Sequence, residues 1–288
     1  MNSSDTDRVE DPNGLLKQQD HMRDMERTRM EILRIDRPYP SVARVTGCIA
    51  PHDPAGWSVP NAAVRIEVDH PAGASPITRI YTIRQFDPAT SRVEIDFVLH
   101  ADDSPSMRWL GSAAVGTDVW MTGPRAHFVP PFTPGKRAAL FADDTAIPAV
   151  HAILRAWPEG VEGAIWIDTV DPEAFEALPH VPGVERHCLL RSREVPAGIS
   201  RSLFAAARSA LSDPLAWTVW AAGERGEMRD FRSHFRAQGI AREALQILGY
   251  WKLGVSGSEL DRARLAAYSA ARARGLSLEE MMDSDEAD

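Results

Sequence analysis

Residues 79–87 read RIYTIRQFD, an apolar run that carries an arginine, a tyrosine and a threonine within four positions. Side chains of a strand alternate between faces, so Arg79 and Tyr81 point one way and Ile80 and Thr82 the other. Tyrosine and threonine are good strand formers, and an exposed arginine on an edge strand is ordinary. Taken alone, the stretch is simply a strand. A ligand lying across its end would nevertheless touch all three polar groups.

The neighbourhood has the same texture. From Val42 to about Met121 the segments VARVTGCIA, NAAVRIEV, ITRIYTIRQF, RVEIDFVLH and DVWMTG alternate apolar and polar residues between Pro, Gly, Asp and Asn. That pattern predicts an antiparallel barrel or sandwich. HFVPPFTPGKR then breaks both helix and central strand with three prolines and a glycine, and reads as a linker. Beyond it the apolar runs AALFA, GAIWID, VERHCLL and AWTVWA alternate with the helical stretches TAIPAVHAILRAW, SRSLFAAARSAL and RDFRSHFRAQ. This βα rhythm predicts a parallel sheet.

Four parts follow: residues 1–39 as a partly helical N-terminal extension, 40–132 as a β-barrel, 133–257 as an α/β domain, and 258–288 as a helix with an acidic tail. Within the first, residues 1–14 are expected to be disordered, and LLKQQDHMRDMERTRMEILR spaces its Leu, Met and Ile as one amphipathic helix.

Composition narrows the functional classes. The 288 residues carry a net charge of −9, with 44% hydrophobic and 25% charged residues, the profile of a globular protein of two domains. The charge disfavours nucleic acid and anionic membrane as partners, and an anionic substrate would have to be met by a local basic group. Cys48 and Cys188 are the two cysteines, far apart and without metal-ligand spacing. The N-terminal residues lack the pattern of a secretory signal and no apolar run reaches spanning length, so a cytoplasmic monomer is expected. GxGxxG, GxxxxGK[ST], HExxH and GxSxG are all absent.

A barrel followed by an α/β domain, with RxYT on a barrel strand, resembles the ferredoxin-reductase-like flavoproteins. DFVLHADDSPSMRW, GTDVWMTGPRAHF, LFADDTAIPAV, WAAGERGEMRDFRSHFR and GYWKLG occur in the order found in the siderophore-interacting protein family, the FAD-dependent ferric-siderophore reductases. The resemblance covers roughly residues 40–256. It implies a two-domain ferredoxin-reductase-like fold, an FAD-binding barrel, an α/β domain for NADPH or NADH, and a ferric siderophore or other ferric chelate as substrate. Two other readings are compatible with the same residues: a flavin reductase serving a protein partner, and a nonenzymatic siderophore-binding protein.

On that resemblance, Arg79 serves the FAD pyrophosphate as a forked cation, Tyr81 lies against the flavin–ribityl region, and the Thr82 hydroxyl sits near flavin N5. His100, Ser104, Ser106, Met107 and Trp109 form the second half of the diphosphate cradle, through a helix starting near Ser106 whose free N–H groups aim at phosphate. Asp102 and Asp103 would turn their carboxylates away. Asp143, Asp144, Thr145 and Ala146 form the nucleotide loop. The family pattern there resembles GDETALPA, so Ala142 replaces a glycine and Asp144 a glutamate. Ala222, Gly223 and Glu224 form another edge of that crevice, and Trp251 covers the flavin and moves aside for nicotinamide, sharing the catalytic role with Thr82. Arg84 and Lys252 form a basic rim for an anionic chelate. Asp168 suits a ribose hydroxyl, whereas Arg191 and Arg193 suit a 2′-phosphate, which leaves NADH and NADPH both open.

Overall fold

The computed structural model describes residues 25–100 and 103–257, together with 259, 260, 263, 266, 270 and 273. Residues 1–14, Asp102 and the acidic tail lie outside the described residues, while the described part of the final helix, including Leu260, is helical.

The strands β1 (Glu26–Tyr39) and β2 (Val42–Cys48) form the first hairpin. The short helix α1 (Pro54–Trp57) leads to β3 (Ala62–Asp69), β4 (Ile77–Asp87) and β5 (Arg92–Val98). Helix α2 (Pro105–Ser112) then precedes β6 (Asp118–Ala126). The six strands close into a barrel in the order β1-β2-β5-β4-β3-β6, with every pairing antiparallel. Closure leaves no free sheet edge, and Met30, Val45, Ile66, Ile95, Phe97 and Met121 fill the interior.

One expectation is corrected here. Residues 26–39 are barrel strand β1, not the end of a helix, and the barrel therefore begins well before residue 40. Thr28, Met30 and Ile32 are buried in strict alternation while Arg27, Arg29 and Glu31 are exposed, a period of two. The helical reading took in residues 15–24, which lie outside the described residues, and let Leu15, Leu16 and Met22 obscure that alternation.

In β4 Ile77, Tyr81 and Ile83 face the barrel core, and then the pairing with β5 shifts between Ile83 and Gln85. The irregularity reverses the parity, so Phe86 is buried next. Ile80 is exposed, whereas Tyr81 packs on Phe97 with ring centroids 4.2 Å apart. The two faces of RIYT divide as alternation requires.

The second unit begins at β7 (Arg137–Asp143) and continues through α3 (Ile147–Arg155), β8 (Gly163–Thr169), α4 (Pro172–Glu176) and β9 (Val184–Leu190). Helix α5 (Ser202–Ala210), β10 (Trp217–Glu224), α6 (Arg225–Ala237) and β11 (Leu245–Trp251) complete it. All five strands are parallel, in the order β11-β10-β7-β8-β9. Apolar side chains on the two faces of the sheet belong to two separate clusters, one around Phe141 and Phe231 and one around Leu140 and Val150. Covering by helices on both faces explains why the inner strands β7, β8 and β10 read as continuous apolar runs. Among the described residues no helix is long and apolar enough to cross a membrane.

The two units are joined by polar groups as well as by chain. The Asn61 amide donates to the Phe128 carbonyl at 2.7 Å, and the Trp220 indole donates to that carbonyl at 2.9 Å. Ser41 donates its backbone N–H to Asp171 at 3.0 Å.

Candidate functional site

Helix α2 packs over β3, the neighbour of β4, and reaches the barrel core beside Tyr81. Met107 and Trp109 of α2 join Tyr81 against the barrel core, and the rings run Tyr81–Phe97–Trp109 with a 5.3 Å step between the last two. Tilted aromatic pairs of this kind add about 0.5–1.5 kcal/mol each beyond burial. Helix α2 starts at Pro105, one residue before the expected Ser106, with Ser104 as N-cap. The Ser104 side chain makes no capping hydrogen bond, so the first-turn N–H groups of Ser106 and Met107 lack the acceptor a cap normally supplies. Ser106 is buried and His100 is exposed.

Arg79 donates to the Thr78 carbonyl at 2.8 Å, and the chain passes tightly over its guanidinium at Gly257. A Cβ at 257 would lie 2.9 Å from Arg79 Nε, so the chain at Gly257 runs directly against this side chain. A guanidinium, uncapped N–H groups and an aromatic ledge are the groups that a dinucleotide's diphosphate and ring call for. FAD would therefore be held by Arg79, Tyr81 and the first turn of α2.

Thr82 points to the other face, where its hydroxyl neighbours the Tyr250 phenol of β11. The Tyr250 phenol also donates to Asn61 Oδ1 at 3.2 Å, and its pKa is raised by burial. The barrel strand and the carboxyl end of the parallel sheet thus meet at Thr82. Asn61 and Tyr250 were given no role from sequence. Asn61 adopts φ 57°, the left-handed conformation that Asn tolerates, and the Pro60-Asn61 pair before a strand was the available signal.

At the sheet's carboxyl end three motifs converge. Asp143 is 1% exposed, and its Oδ1 accepts from the Thr145 N–H at 2.9 Å and the Thr145 hydroxyl at 2.5 Å. Its Oδ2 accepts from Trp251 Nε1 at 2.7 Å. Burial pushes the Asp143 pKa up to about 6. Glu224 caps α6 by accepting from the Glu227 N–H at 2.9 Å, and burial pushes Glu227 up to about 7. Ala146 and Ala222 are fully buried, and Gly223 adjoins the Asp143 carboxylate. Asp144 accepts from the Thr169 hydroxyl at 2.5 Å and pairs with Arg191. Both loop carboxylates are therefore engaged inside the protein.

Two expectations are corrected by burial. Arg84 is not part of a solvent-facing rim: its side chain is 12% exposed and lies 2.9 Å from Glu94 and 3.6 Å from Asp96. Its carbonyl also meets His151 of α3 at 3.3 Å, and burial drives that imidazole's pKa down to about 3. The partners come from β5 and α3, which no local pattern in RIYTIRQF reveals. Similarly, Arg191 is committed to Asp144 and Asp168 rather than presented to a 2′-phosphate, and Asp168 is fully buried. Arg193 remains half-exposed and pairs with Asp171. Lys252, by contrast, is exposed directly after Trp251.

A closed antiparallel barrel with a dinucleotide-type strand, followed by a five-stranded parallel sheet whose carboxyl end faces it, defines a flavoprotein of ferredoxin-reductase type. The ferredoxin reductase of carbazole 1,9a-dioxygenase shares this fold at 14% identity, with a TM-score of 0.62 over 79% of this chain and 70% of that one. More narrowly, the chain belongs to the siderophore-interacting protein family. Residues 50–128 match the siderophore-interacting FAD-binding domain and residues 136–254 the siderophore-interacting protein domain. Over 272 residues it is 41% identical to the ferric acinetobactin reductase of Acinetobacter baumannii, covering 94% of each chain. The solved siderophore-interacting protein from Acinetobacter baumannii superposes with a TM-score of 0.81 at 40% identity, over 86% of this chain and 99% of that one.

Proposed function

We propose that this protein is a cytoplasmic FAD-containing, NAD(P)H-dependent ferric-siderophore reductase that releases iron as iron(II). The observation that carries the reading is the meeting of β4 and β11 at Thr82 and Tyr250, which brings the flavin-type strand against the nucleotide-type end of the sheet. The likeness to a ferric acinetobactin reductase supports the substrate class. Bound FAD supplies the chemistry no side chain here has, accepting a hydride from the pyridine nucleotide and releasing electrons singly to iron(III). The protein's part would be to bind and orient: Arg79 and the first turn of α2 would neutralise the diphosphate, Tyr81 would support the ring system, and Thr82 would offer it a hydroxyl. Hard oxygen donors hold iron(III) far better than iron(II), so reduction loosens the metal from its chelator.

The direct test is the absorbance spectrum of the purified protein, followed by anaerobic titration with NADH and NADPH and then by a ferric chelate. Bleaching by nucleotide and chelate-dependent reoxidation are expected. Bleaching without chelate-dependent turnover would instead indicate a reductase serving a protein partner, and a protein without flavin would overturn the reading.

Lys252 is the cation placed to meet an anionic chelate beside Trp251. Lys252→Glu should lower kcat/KM several-fold for an anionic ferric chelate and much less for a neutral one. At about 0.1 M salt the Debye length is roughly 10 Å, so the difference should shrink as salt rises. Equal losses for both chelates at every salt concentration would remove Lys252 from substrate recognition.

A further inference from the structure

Strands β7 and β11 are not neighbours, because β10 lies between them. The Trp251 indole at the end of β11 nevertheless reaches the Asp143 carboxylate at the end of β7. The bond crosses β10 at Gly223, where a Cβ would lie 2.7 Å from the same Asp143 oxygen that accepts from the indole. A side chain at 223 would displace that carboxylate, so the glycine of the AAGE motif is what permits the crossing.

The two oxygens of Asp143 face different partners, Thr145 on one side and Trp251 on the other. Both oxygens act as acceptors, a demand that an ionised carboxylate meets and an amide cannot. A second carboxylate ties down the adjoining chain. Glu224 pairs in register with Trp251, and its Oε1 accepts from the Leu253 N–H at 3.3 Å. The segment is thus held at the indole by one strand end and at the backbone by another.

We propose that Asp143 is a positioning residue whose carboxylate latches the Trp251 indole across Gly223 and so sets the cost of admitting a nicotinamide ring. The latch rests on the reading that Trp251 covers the flavin. Asp144 on the same turn, Glu227 of α6 and Tyr250 of β11 are the ionisable groups whose charges couple to Asp143. Burial raises the Asp143 pKa to about 6, which still leaves the carboxylate mostly ionised at neutral pH and the bond to the indole charge-assisted.

Trp251→Phe keeps an aromatic ring but loses bulk together with the N–H, whereas Asp143→Asn leaves the indole intact, so the pair of single variants and their combination separate the bond from the bulk. Binding of the oxidised nucleotides NAD⁺ and NADP⁺ to the FAD-loaded protein is measured by calorimetry, without turnover. Trp251→Phe and Asp143→Asn should each lower Kd by roughly tenfold, the scale of one hydrogen bond to a charged group. The double variant should gain nothing beyond either single change, because both remove the same bond. Flavin emission in Trp251→Ala tests the underlying reading separately. If emission there equals wild type, Trp251 does not cover the flavin. If emission changes while Trp251→Phe leaves Kd unchanged or raised, or the two single effects add, the latch is wrong. Trp251→Phe keeps the test available even if Asp143→Asn fails to fold.

Discussion

Arg79→Ala should purify folded and nearly free of FAD. Its guanidinium shares a strand face with Tyr81, and the uncapped start of α2 offers further N–H groups, the donors that a diphosphate needs. Losing charge-assisted bonds to a diphosphate costs about 1.5–3 kcal/mol each, and two such bonds correspond to a loss in affinity of a hundredfold or more. The flavin-to-protein absorbance ratio measures the effect. Arg79→Lys should recover part of the occupancy, because it restores the charge without the fork. Circular dichroism should match wild type, since β4 keeps its ladder with β3 and β5. Full flavin occupancy in Arg79→Ala would remove this residue from the cofactor site.

Arg191→Ala is expected to produce the largest loss of stability. The guanidinium is 7% exposed, donates from Nε to Asp168 at 2.8 Å, pairs with Asp144, and donates to the Val195 carbonyl at 2.8 Å. Its removal leaves two buried carboxylates without their counter-charge, a defect that costs about 3–5 kcal/mol. For a protein of this size the melting midpoint should fall by roughly 10 °C. The sign with pH follows from the same cause. Carboxylates that lose their cation while buried take a folded-state pKa above the unfolded one, so the variant is least impaired in acid and loses stability as pH rises through the raised value. Arg193→Ala serves as comparison: that side chain is half-exposed, and its partner Asp171 keeps the Ser41 N–H at 3.0 Å, so its loss should be far smaller. Equal melting midpoints for Arg191→Ala and wild type would show that Asp144 and Asp168 are not held by this arginine.

Arg84 and Arg191 illustrate one limit on reading charges from sequence. Each follows or occupies a polar break in an apolar run, where an exposed cation is the ordinary outcome. What buries Arg84 is Glu94 and Asp96 on the adjacent strand together with α3, and what buries Arg191 is a pair of carboxylates at the ends of β7 and β8. The sequence distance between partners carries no periodic signal. Alternation, by contrast, is local. It placed Arg79 and Tyr81 together on one face and Thr82 on the other, and β4 has that geometry.

Strand-forming alternation in residues 42–121, the βα rhythm after residue 136 and the order of five motifs were sufficient for the barrel, the parallel sheet and the family, because each depends on short-range periodicity or on residue identity. The sixth barrel strand was decided by tertiary structure: Thr28, Met30 and Ile32 fit a strand only once β2 and β6 are present on either side. The same holds for the site. ADDT, AAGE and GYWK were each visible as motifs, but that Asp143 accepts from Trp251 over Gly223 required β10 to lie between β7 and β11, an order set by how the sheet packs rather than by any residue's own preference.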